Sequence, residues 1–401
     1  MIGLDQIKDI ARPTPSKIVL LVMDGLGGLP HPKTGKTELE TAKTPNLDRL
    51  AKEGICGLVD TVGPGITPGS APGHLALFGY DPLKFTVGRG VLEALGIDFE
   101  LQEGDIAARG NFCTIDSSGL ITDRRAGRIA TAKCAELCHL LDGLKIEDVD
   151  LLVSPVREHR FVVVFRGPGL LSELSDSDPQ REGMPPKDVV PLSAEAAKAA
   201  YIANQFIARA RATLADHHPT NMVLVRGFAH YPHFPKMSEV FKLKPAAIAS
   251  YPMYRGLAKV VGMEVLATGP SIEAELATLA QHYDSYDFFL LHVKEIDLAG
   301  EDGDFERKAE IIEKVDAALP RLISLNPDVI IVTADHSTPA LLKGHSWHPV
   351  PFLLRSNWCR PDQVQEFSEK ACSLGSLGRF PGTQVMPLAL ANALKLGKFG
   401  A

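Results

Sequence analysis

Three short segments of this chain are almost continuously apolar, without the regular alternation of apolar and polar residues, and are rich in β-branched and aromatic residues. This pattern is typical of strands buried on both faces. They read IVLLVMD, ending at Asp24; YDFFLLHVKEID, ending at Asp297; and DVIIVTADH, ending at Asp335 and His336. Each therefore predicts a strand whose carboxyl end carries an acid. Because ligands of open α/β sheets gather at the carboxyl ends of the strands, these acids predict one shared site. Capping of the following helices by single aspartates is the alternative interpretation.

The segment between the second and third of these strands, FERKAEIIEKVDAAL, has the spacing of an amphipathic helix. Its apolar residues recur at Ile311, Ile312, Val315 and Leu319. Pro320 follows and is expected to help end the helix. Strand, helix, strand in this order predicts a parallel crossover unit.

The middle of the chain differs, with shorter apolar runs such as FVVVFRG and NMVLVRGF around the Pro-rich loop SDSDPQREGMPPKDVVP. A chain of 401 residues also exceeds the size at which one core stops growing. We therefore predict an α/β fold with a mixed or parallel sheet sandwiched by helices, built from residues 1–99 and 245–401. Residues 100–244 are predicted to form an inserted α+β cap domain.

Composition narrows the functional class. Hydrophobic residues make up 45% and charged residues 23% of the chain, and the longest apolar run has six residues, so no membrane span is expected. The opening residues do not resemble a secretory signal, and the six cysteines form no CxxC pair, which predicts a cytoplasmic protein with reduced thiols. A net charge of −7 without a long charged run argues against nucleic-acid binding. The expected partner is a small molecule; the sequence does not indicate an oligomeric state.

Ser70 is the candidate nucleophile. It follows a Gly-rich turn in PGITPGSAPGHLALFGYDP, with Pro72 in the first turn of a predicted short helix. Free N–H groups at a helix start favour an anion, although a plain N-cap serine is the alternative. Pro68 and Pro72 occupy positions where a serine-hydrolase elbow has Gly, so bound metal is the expected activator.

Candidate metal ligands lie in two other segments. In TADHSTPALLKGHSWHPVP, Asp335 and His336 leave a strand together and His345 follows, whereas His348 is interpreted as structural. In HVKEIDLAGEDGDFERK, Asp297 and Glu301 stand one helical turn apart, and Arg307 excludes a calcium loop of the EF-hand type. Carboxylate and imidazole ligands suit a divalent ion, with many oxygens favouring manganese or magnesium.

Arginines supply candidate anion ligands, because a guanidinium binds phosphate and carboxylate in a bidentate manner. The candidate substrate-binding residues are Arg124, Arg128, Arg160, Arg226 and Arg255. Residues considered for assisting group transfer are Lys259, Lys294 and Arg255. Solvated surface charge is the alternative for each of them.

Taken together, several motifs resemble the alkaline phosphatase superfamily and, within it, the archaeal-type 2,3-bisphosphoglycerate-independent phosphoglycerate mutases. They include LLVMDGLGG, GKTELETAKTPNLDRLAKEGICG, PGS before HLALFGYDP, GRGVLEALG, DIAARGNFCTID, DRRAGR, SDSDP, AGEDGDF and TADHSTP with HSWHPVP. The resemblance covers nearly the whole chain.

The resemblance implies a phosphatase-like domain with an inserted cap, two divalent ions and no need for 2,3-bisphosphoglycerate. Manganese is the favoured metal, with magnesium, zinc or cobalt as alternatives. The implied activity is interconversion of 3- and 2-phosphoglycerate in glycolysis and gluconeogenesis through a phosphoserine. Its implied residues are Ser70 as nucleophile, one metal held by Asp24, Ser70, Asp335 and His336, another by Asp297, Glu301 and His345, and cap residues Arg124 and Arg128 as substrate ligands.

Two features depart from the family pattern. Glu301 stands where the family commonly has His, which adds negative charge to the second metal site. Ala71 follows Ser70 where relatives often have an acidic residue. Two other functions stay open. Because the same catalytic core serves many reactions, one is a metal-dependent phosphatase or phosphotransferase acting on another phosphorylated metabolite. The other is a non-catalytic metal-binding protein of the same fold, which loss of the second metal site through Glu301 would favour.

Overall fold

The computed structural model describes residues 3–400, which form two compact units. The large unit comprises the residues up to Thr86, Phe234–Tyr254 and the residues from Ala258 onward. The inserted unit comprises Val87–His233 with Arg255–Leu257. The domain bounds expected from the sequence stay a prediction: a catalytic domain of residues 1–99 and 245–401, and a cap domain of residues 100–244.

Strands and helices alternate along much of the chain. The strands are β1 (Ile18–Met23), β2 (Ile55–Asp60), β3 (Ile106–Ile115), β4 (Ile121–Asp123), β5 (Leu144–Ile146), β6 (Val149–Arg157), β7 (Arg160–Arg166), β8 (Met222–His230), β9 (Pro245–Ile248), β10 (Glu264–Leu266), β11 (Phe288–Val293), β12 (Val329–Thr333), β13 (Val350–Ser356) and β14 (Gly378–Pro381). The α-helices are α1 (Leu4–Ile10), α2 (Glu38–Thr41), α3 (Pro45–Glu53), α4 (Ser70–Leu77), α5 (Arg89–Gly96), α6 (Thr131–Leu141), α7 (Ala197–Leu214), α8 (Met237–Val240), α9 (Pro252–Val260), α10 (Ile272–His282), α11 (Glu295–Asp302), α12 (Phe305–Ser324), α13 (Glu369–Cys372) and α14 (Val385–Asn392). Among the described residues, no helix is both long enough and apolar enough to cross a membrane.

A mixed eight-stranded sheet forms the centre of the large unit, in the order β10-β9-β11-β1-β12-β13-β2-β14. The strands from β10 to β12 in this order are parallel, whereas β13 is antiparallel to both of its neighbours. All residues of β1, β11 and β12 are buried, as their continuous apolar sequences require. The predicted α/β class with a mixed sheet is confirmed. The predicted crossover also exists, with β1 lying between β11 and β12.

The inserted unit has its own antiparallel sheet in the order β4-β3-β7-β6-β5, with β8 paired to β3. The apolar runs FVVVFRG and NMVLVRGF form β7 and β8, as predicted. The long helix α7 packs on β8, and aromatic side chains such as Phe161 and Phe206 are fully buried in a core of this unit.

One predicted strand is shorter than its sequence suggests. β11 ends at Val293, so Asp297 does not end the strand but lies in the first turn of α11. Lys294 occupies the N-cap position of this helix, so strand and helix are joined without a long loop. The acid therefore belongs to the helix that follows the sheet edge rather than to the edge itself.

The prediction that Pro320 helps to end a helix was wrong, because α12 continues to Ser324. Pro320 has no N–H for the carbonyl of Asp316, four residues earlier. Asn46 replaces that donor: its Nδ2 donates to the Asp316 carbonyl at 3.1 Å and to the Asp316 Oδ2 atom at 3.0 Å. A side chain from the start of α3 thus lets the helix pass through a proline.

We expect Asn46→Ala to lower the free energy of unfolding by about 1–3 kcal/mol, because buried acceptors of Asp316 lose their donor. Urea denaturation measures this change. In a Pro320→Ala background the backbone N–H of residue 320 can again donate to the Asp316 carbonyl. Asn46→Ala should then lower the free energy of unfolding by about 1 kcal/mol less than it does in the unaltered chain. An equal cost in both backgrounds would show that Asn46 does not replace the missing donor.

Candidate metal centre and nucleophile

The acids of the large unit meet at the carboxyl edge of its parallel strands. Asp24 directly follows β1, and Asp335 follows β12 by two residues. The backbone N–H of Asp24 donates to Val293 O at the end of β11 at 3.0 Å, and Gly25 takes a positive φ of 69° that turns the chain. Both acids are fully buried. The predicted convergence of strand-end acids is thus what the structure shows for this pair.

Two groups of side chains have the geometry needed to hold a cation. The first contains Asp24, Asp335 and His336; the second contains Asp297, His336 and His345. His336 Nε2 lies 3.4 Å from Asp24 Oδ1 and 3.1 Å from Asp335 Oδ2, while His345 Nε2 lies 3.6 Å from Asp297 Oδ1. The rings of His336 and His345 stack at 3.6 Å, so the groups are immediate neighbours.

Ser70 lies beside the first group. It opens helix α4, as predicted, and its Oγ is 3.1 Å from His336 Nε2. Gly73, in the same helix, packs so closely on the Asp335 backbone that a Cβ there would collide with it. The absence of a side chain at Gly73 therefore lets α4 approach the Asp335 backbone and bring Ser70 close to the first group.

Glu301 lies at the margin of the second group. Its Oε1 is 3.9 Å from His345 Nε2, and its side chain is 50% exposed, whereas that of Asp297 is 1% exposed. His345 itself is oriented by a hydrogen bond from Nδ1 to the carbonyl of Pro68 at 2.9 Å, which leaves Nε2 free to bind a cation. His348, by contrast, contacts Ser346 Oγ at 3.0 Å and belongs to neither group.

The donor chemistry of the first group fits a divalent ion. Among the described residues, Asp24 Oδ1 and Asp335 Oδ2 are buried atoms without a well-directed hydrogen-bond donor, and His336 Nε2 makes ion-pair contacts with them at 3.4 and 3.1 Å. Buried polar atoms normally have partners, so orphaned carboxylate oxygens that face each other across an imidazole need another ligand. Oxygen and imidazole donors together suit manganese, zinc and related ions.

Ionisation of these groups also favours a cation. Burial and the charge of Asp335 act to raise the pKa of Asp24, but Lys294, His292 and His336 outweigh them and hold that pKa well below its usual range. Burial acts to lower the pKa of His336, yet the neighbouring Asp335 raises it to about 9. Burial also acts to raise the pKa of Asp335, but His336 and His74 hold it well below its usual range. Both carboxylates are therefore charged at neutral pH, and a bound metal would displace the His336 proton.

Sequence reasoning missed most of the residues that surround Asp24 Oδ2. Tyr254 Oη donates to this oxygen, and His292 Nε2 and Lys294 Nζ lie 3.0 and 3.1 Å from it. Lys294 Nζ also reaches Asp297 Oδ2 at 2.5 Å, so it links the two groups. With Oδ2 saturated, only Oδ1 of Asp24 remains for a cation.

Some of these residues had a signal in the sequence. His292 is a polar residue within the apolar strand FFLLHV, and His74 stands four residues after Ser70, on the same helix face. His74 Nδ1 donates to the Ser70 carbonyl at 2.8 Å and lies 3.2 Å from Asp335 Oδ2. Tyr254 had no such signal, because it comes from α9, far along the chain.

The predicted substrate-binding arginines lie in the inserted unit. Arg124 makes a bidentate pair with Asp178 at 3.1 and 2.6 Å, and Arg226 approaches the same carboxylate at 3.6 Å. Arg255 instead pairs with Asp98 at 2.9 Å. Other predicted members are Arg128, which is exposed, and Arg160, which begins β7.

Several arginines of this unit lie close enough together to affect one another's ionisation. Burial lowers the pKa of Arg226, and Arg89 and Arg124 lower it further. Burial likewise lowers the pKa of Arg109 to about 10, with Arg160 among the contributing neighbours. Mutual repulsion of this kind favours an anionic ligand.

Comparisons with known proteins agree on one family. Residues 51–221 match the family model described as 2,3-bisphosphoglycerate-independent phosphoglycerate mutase. A Thermus thermophilus protein named "Probable 2,3-bisphosphoglycerate-independent phosphoglycerate mutase" is 51% identical over 400 residues, covering 98% of both chains. A Thermotoga maritima protein of the same name is 53% identical over 397 residues, also covering 98% of each.

A solved structure extends this likeness to the fold. The cofactor-independent phosphoglycerate mutase of Thermoplasma acidophilum is 32% identical, with a TM-score of 0.70, and the match covers 94% of this chain and 100% of that one. A Pyrococcus horikoshii protein superposes with a TM-score of 0.83 at 29% identity, covering 97% of this chain and all of its own.

We expect added Mn²⁺ to raise the melting temperature of the chain after treatment with a chelator. An ion that binds only the folded protein stabilises it by about 2.7 kcal/mol at a concentration 100 times its Kd. Differential scanning fluorimetry measures the shift. Asp335→Asn should lose most of it, whereas Asp60→Asn should keep it, because Asp60 pairs with Arg379 outside both groups. The same shift in Asp335→Asn would exclude the first group as a metal site.

Proposed function

The chain belongs to the family of 2,3-bisphosphoglycerate-independent phosphoglycerate mutases, isomerases by reaction, and from that premise we propose how its own residues interconvert 3- and 2-phosphoglycerate. The observation that carries the proposal is the position of Ser70. Its Oγ lies at the start of a helix, 3.1 Å from His336 Nε2, and the same nitrogen lies 3.1 Å from Asp335 Oδ2. A hydroxyl placed so can accept a phosphoryl group.

Asp24, Ser70, Asp335 and His336 would hold one divalent ion, and Asp297, Glu301 and His345 the other. When bound, such ions lower the pKa of the serine hydroxyl and neutralise charge on the phosphoryl oxygens. The N-terminal N–H groups of α4 add a favourable electrostatic contribution to an anion at Ser70. Among the transfer candidates, Lys294 is supported by its position between Asp24 and Asp297.

The transfer takes two displacements. Ser70 Oγ bonds to phosphorus while the bond from phosphorus to glycerate O3 breaks, and the proton that Ser70 loses ends on O3, giving phosphoserine and glycerate with a free 3-hydroxyl. The 2-hydroxyl of glycerate then attacks the phosphoserine, its proton returns to the departing Ser70 oxygen, and 2-phosphoglycerate forms. Water must be excluded during the phosphoserine state, because its attack would release free phosphate. Exclusion of water is what separates a mutase from a phosphatase.

The substrate's phosphate and carboxylate need cationic ligands, for which we propose Arg124, Arg128, Arg160, Arg226 and Arg255. The shared contact of Arg124 and Arg226 with Asp178 supports this, since the carboxylate orients two guanidinium groups. Arg255 has the weakest support, because Asp98 and the Gly96 carbonyl already engage its side chain. We also propose that the enzyme acts in the cytoplasm, consistent with six unbridged cysteines.

We propose manganese as the preferred metal, with magnesium, zinc and cobalt as alternatives. Glu301 supports manganese or magnesium, because an extra carboxylate in place of an imidazole makes the second group richer in hard oxygen ligands. The exposed position of Glu301 leaves it room to turn toward an ion near His345.

Ser70→Ala should abolish formation of 2-phosphoglycerate, because no other residue accepts the phosphoryl group in this account. The measurement is a coupled mutase assay with Mn²⁺ and without added 2,3-bisphosphoglycerate. Ser356→Ala is the matched control, since this hydroxyl hydrogen-bonds Asn392 and lies outside both metal groups. Retention of mutase activity in Ser70→Ala would refute the phosphoserine route, and Mn²⁺-dependent phosphate release by the unaltered chain in place of 2-phosphoglycerate would favour a phosphatase.

Glu301→His should shift metal preference toward zinc, because imidazole is a softer ligand than carboxylate. We expect the ratio of zinc to manganese affinity to rise about tenfold or more, measured by competition titration on metal-stripped protein. Glu301→Gln removes the charge without adding an imidazole and should lower the affinity of the protein for both zinc and manganese. An unchanged affinity ratio in Glu301→His would show that Glu301 does not bind the metal.

A further inference from the structure

A fully buried lysine beneath the metal-ligand loops has no role in the account above. Lys308 is 0% exposed and lies near the start of α12, where the helix dipole disfavours a cation. Burying an ammonium group is costly unless its donors are satisfied. Such a residue at such a position needs a compensating function.

The contacts of Lys308 identify what it holds. Its Nζ donates to three backbone carbonyls, those of Gly25 at 2.9 Å, Gly27 at 3.1 Å and Thr338 at 2.8 Å. Three donors are the full complement of an ammonium group, so the contacts require the charged form. Glu38, itself fully buried, lies 3.9 Å away and balances the charge.

The three carbonyls belong to two loops, and each loop carries ligands of the first metal group. Gly25 and Gly27 follow Asp24 after β1, and Thr338 follows Asp335 and His336 after β12. The backbone N–H of Thr338 also lies against the Gly25 and Gly27 carbonyls, at 3.2 and 3.1 Å. The hydrogen bonds of Lys308 therefore connect the two ligand-bearing loops to each other and to α12.

The hydroxyl of Thr338 connects these loops to the second group by a hydrogen bond to Asp297. Its Oγ1 donates to Asp297 Oδ1 at 2.6 Å, because a carboxylate can only accept. The hydroxyl's single proton is then used, so the 3.0 Å contact with His336 Nδ1 has the imidazole as donor. That hydrogen bond places the proton on Nδ1 and aims Nε2 at Asp24, Asp335 and Ser70.

We propose that Lys308 and Thr338 are positioning residues that set the metal affinity of both groups. Lys308 fixes the separation of the loops that carry Asp24 and Asp335. Thr338 fixes the orientation of Asp297 and the ring of His336, the residue common to both groups. This inference rests on the proposed metal centre. Loss of such supporting contacts around metal ligands typically weakens metal binding 10–100-fold.

A matched control separates positioning from general stability. Lys395 is also 0% exposed, and its Nζ donates to the Thr14 carbonyl at 2.7 Å and to Asp287 Oδ2 at 3.0 Å, outside both metal groups. Lys308→Met and Lys395→Met therefore each remove a buried ammonium, but only the first touches the ligand loops. Thr338→Val removes a hydroxyl at nearly constant volume, and Thr338→Ser retains it.

The test is isothermal titration of metal-stripped full-length protein with Mn²⁺, together with urea unfolding without metal. Lys308→Met and Thr338→Val should raise the Kd for Mn²⁺ about 10–100-fold. Thr338→Ser and Lys395→Met should stay close to the unaltered chain, even where unfolding shows that Lys395→Met is less stable. If Lys308→Met does not fold, the comparison of the Kd values of Thr338→Val and Thr338→Ser decides the outcome.

Two results would overturn the proposal while leaving the metal centre intact: an unchanged Kd in Thr338→Val, or equal losses of affinity in Lys308→Met and Lys395→Met. Absence of Mn²⁺ binding by the unaltered chain would overturn the metal centre itself, and this proposal with it. The unaltered chain thus separates failure of the centre from failure of the positioning residues.

Discussion

Burial of several carboxylates at one edge of a parallel sheet is the constraint on which the rest of the large unit depends. Asp24, Asp297 and Asp335 are fully buried, and their carboxylate oxygens lie 3.4, 3.9 and 3.1 Å from ring nitrogens of His336, so three acids surround one imidazole. Like charges at this separation repel strongly where water is scarce, so cations must be present. Lys294 and His336 supply part of that charge from the chain. The oxygens Asp24 Oδ1 and Asp335 Oδ2, which lack a hydrogen-bond partner, are where the proposed divalent ions would supply the remainder.

This constraint explains why so many polar groups lie beneath the site. Tyr254, His292 and Lys294 saturate one oxygen of Asp24 and leave the other free. Helix α4 presents Ser70 to the same place, and the small Gly73 lets it approach. These hydrogen bonds and close contacts fix the orientation of the charged groups, and preorganised charge of this kind is what stabilises a phosphoryl group in transfer.

Much of the fold and part of the site could be predicted from the sequence. Strands that bury both faces have continuous apolar sequences, so β1, β11 and β12 could be recognised from the sequence. A binding site near their carboxyl ends could also be expected, because ligands of such sheets bind there. The continuation of α12 through Pro320 was not predictable, because it depends on Asn46, distant in sequence. Tyr254, Thr338 and Lys308 were missed for the same reason: each acts through contacts between loops that no local pattern records.

The most direct test of the account is to locate the phosphoryl group during turnover. Protein mixed with 3-phosphoglycerate and Mn²⁺ is quenched in acid within the first turnovers, digested and examined by mass spectrometry. The account predicts that the phosphoryl group is found on Ser70, in the peptide that contains PGSAPGH. Turnover accompanied by phosphate on another residue, or by no phosphorylated peptide at any quench time, would contradict it.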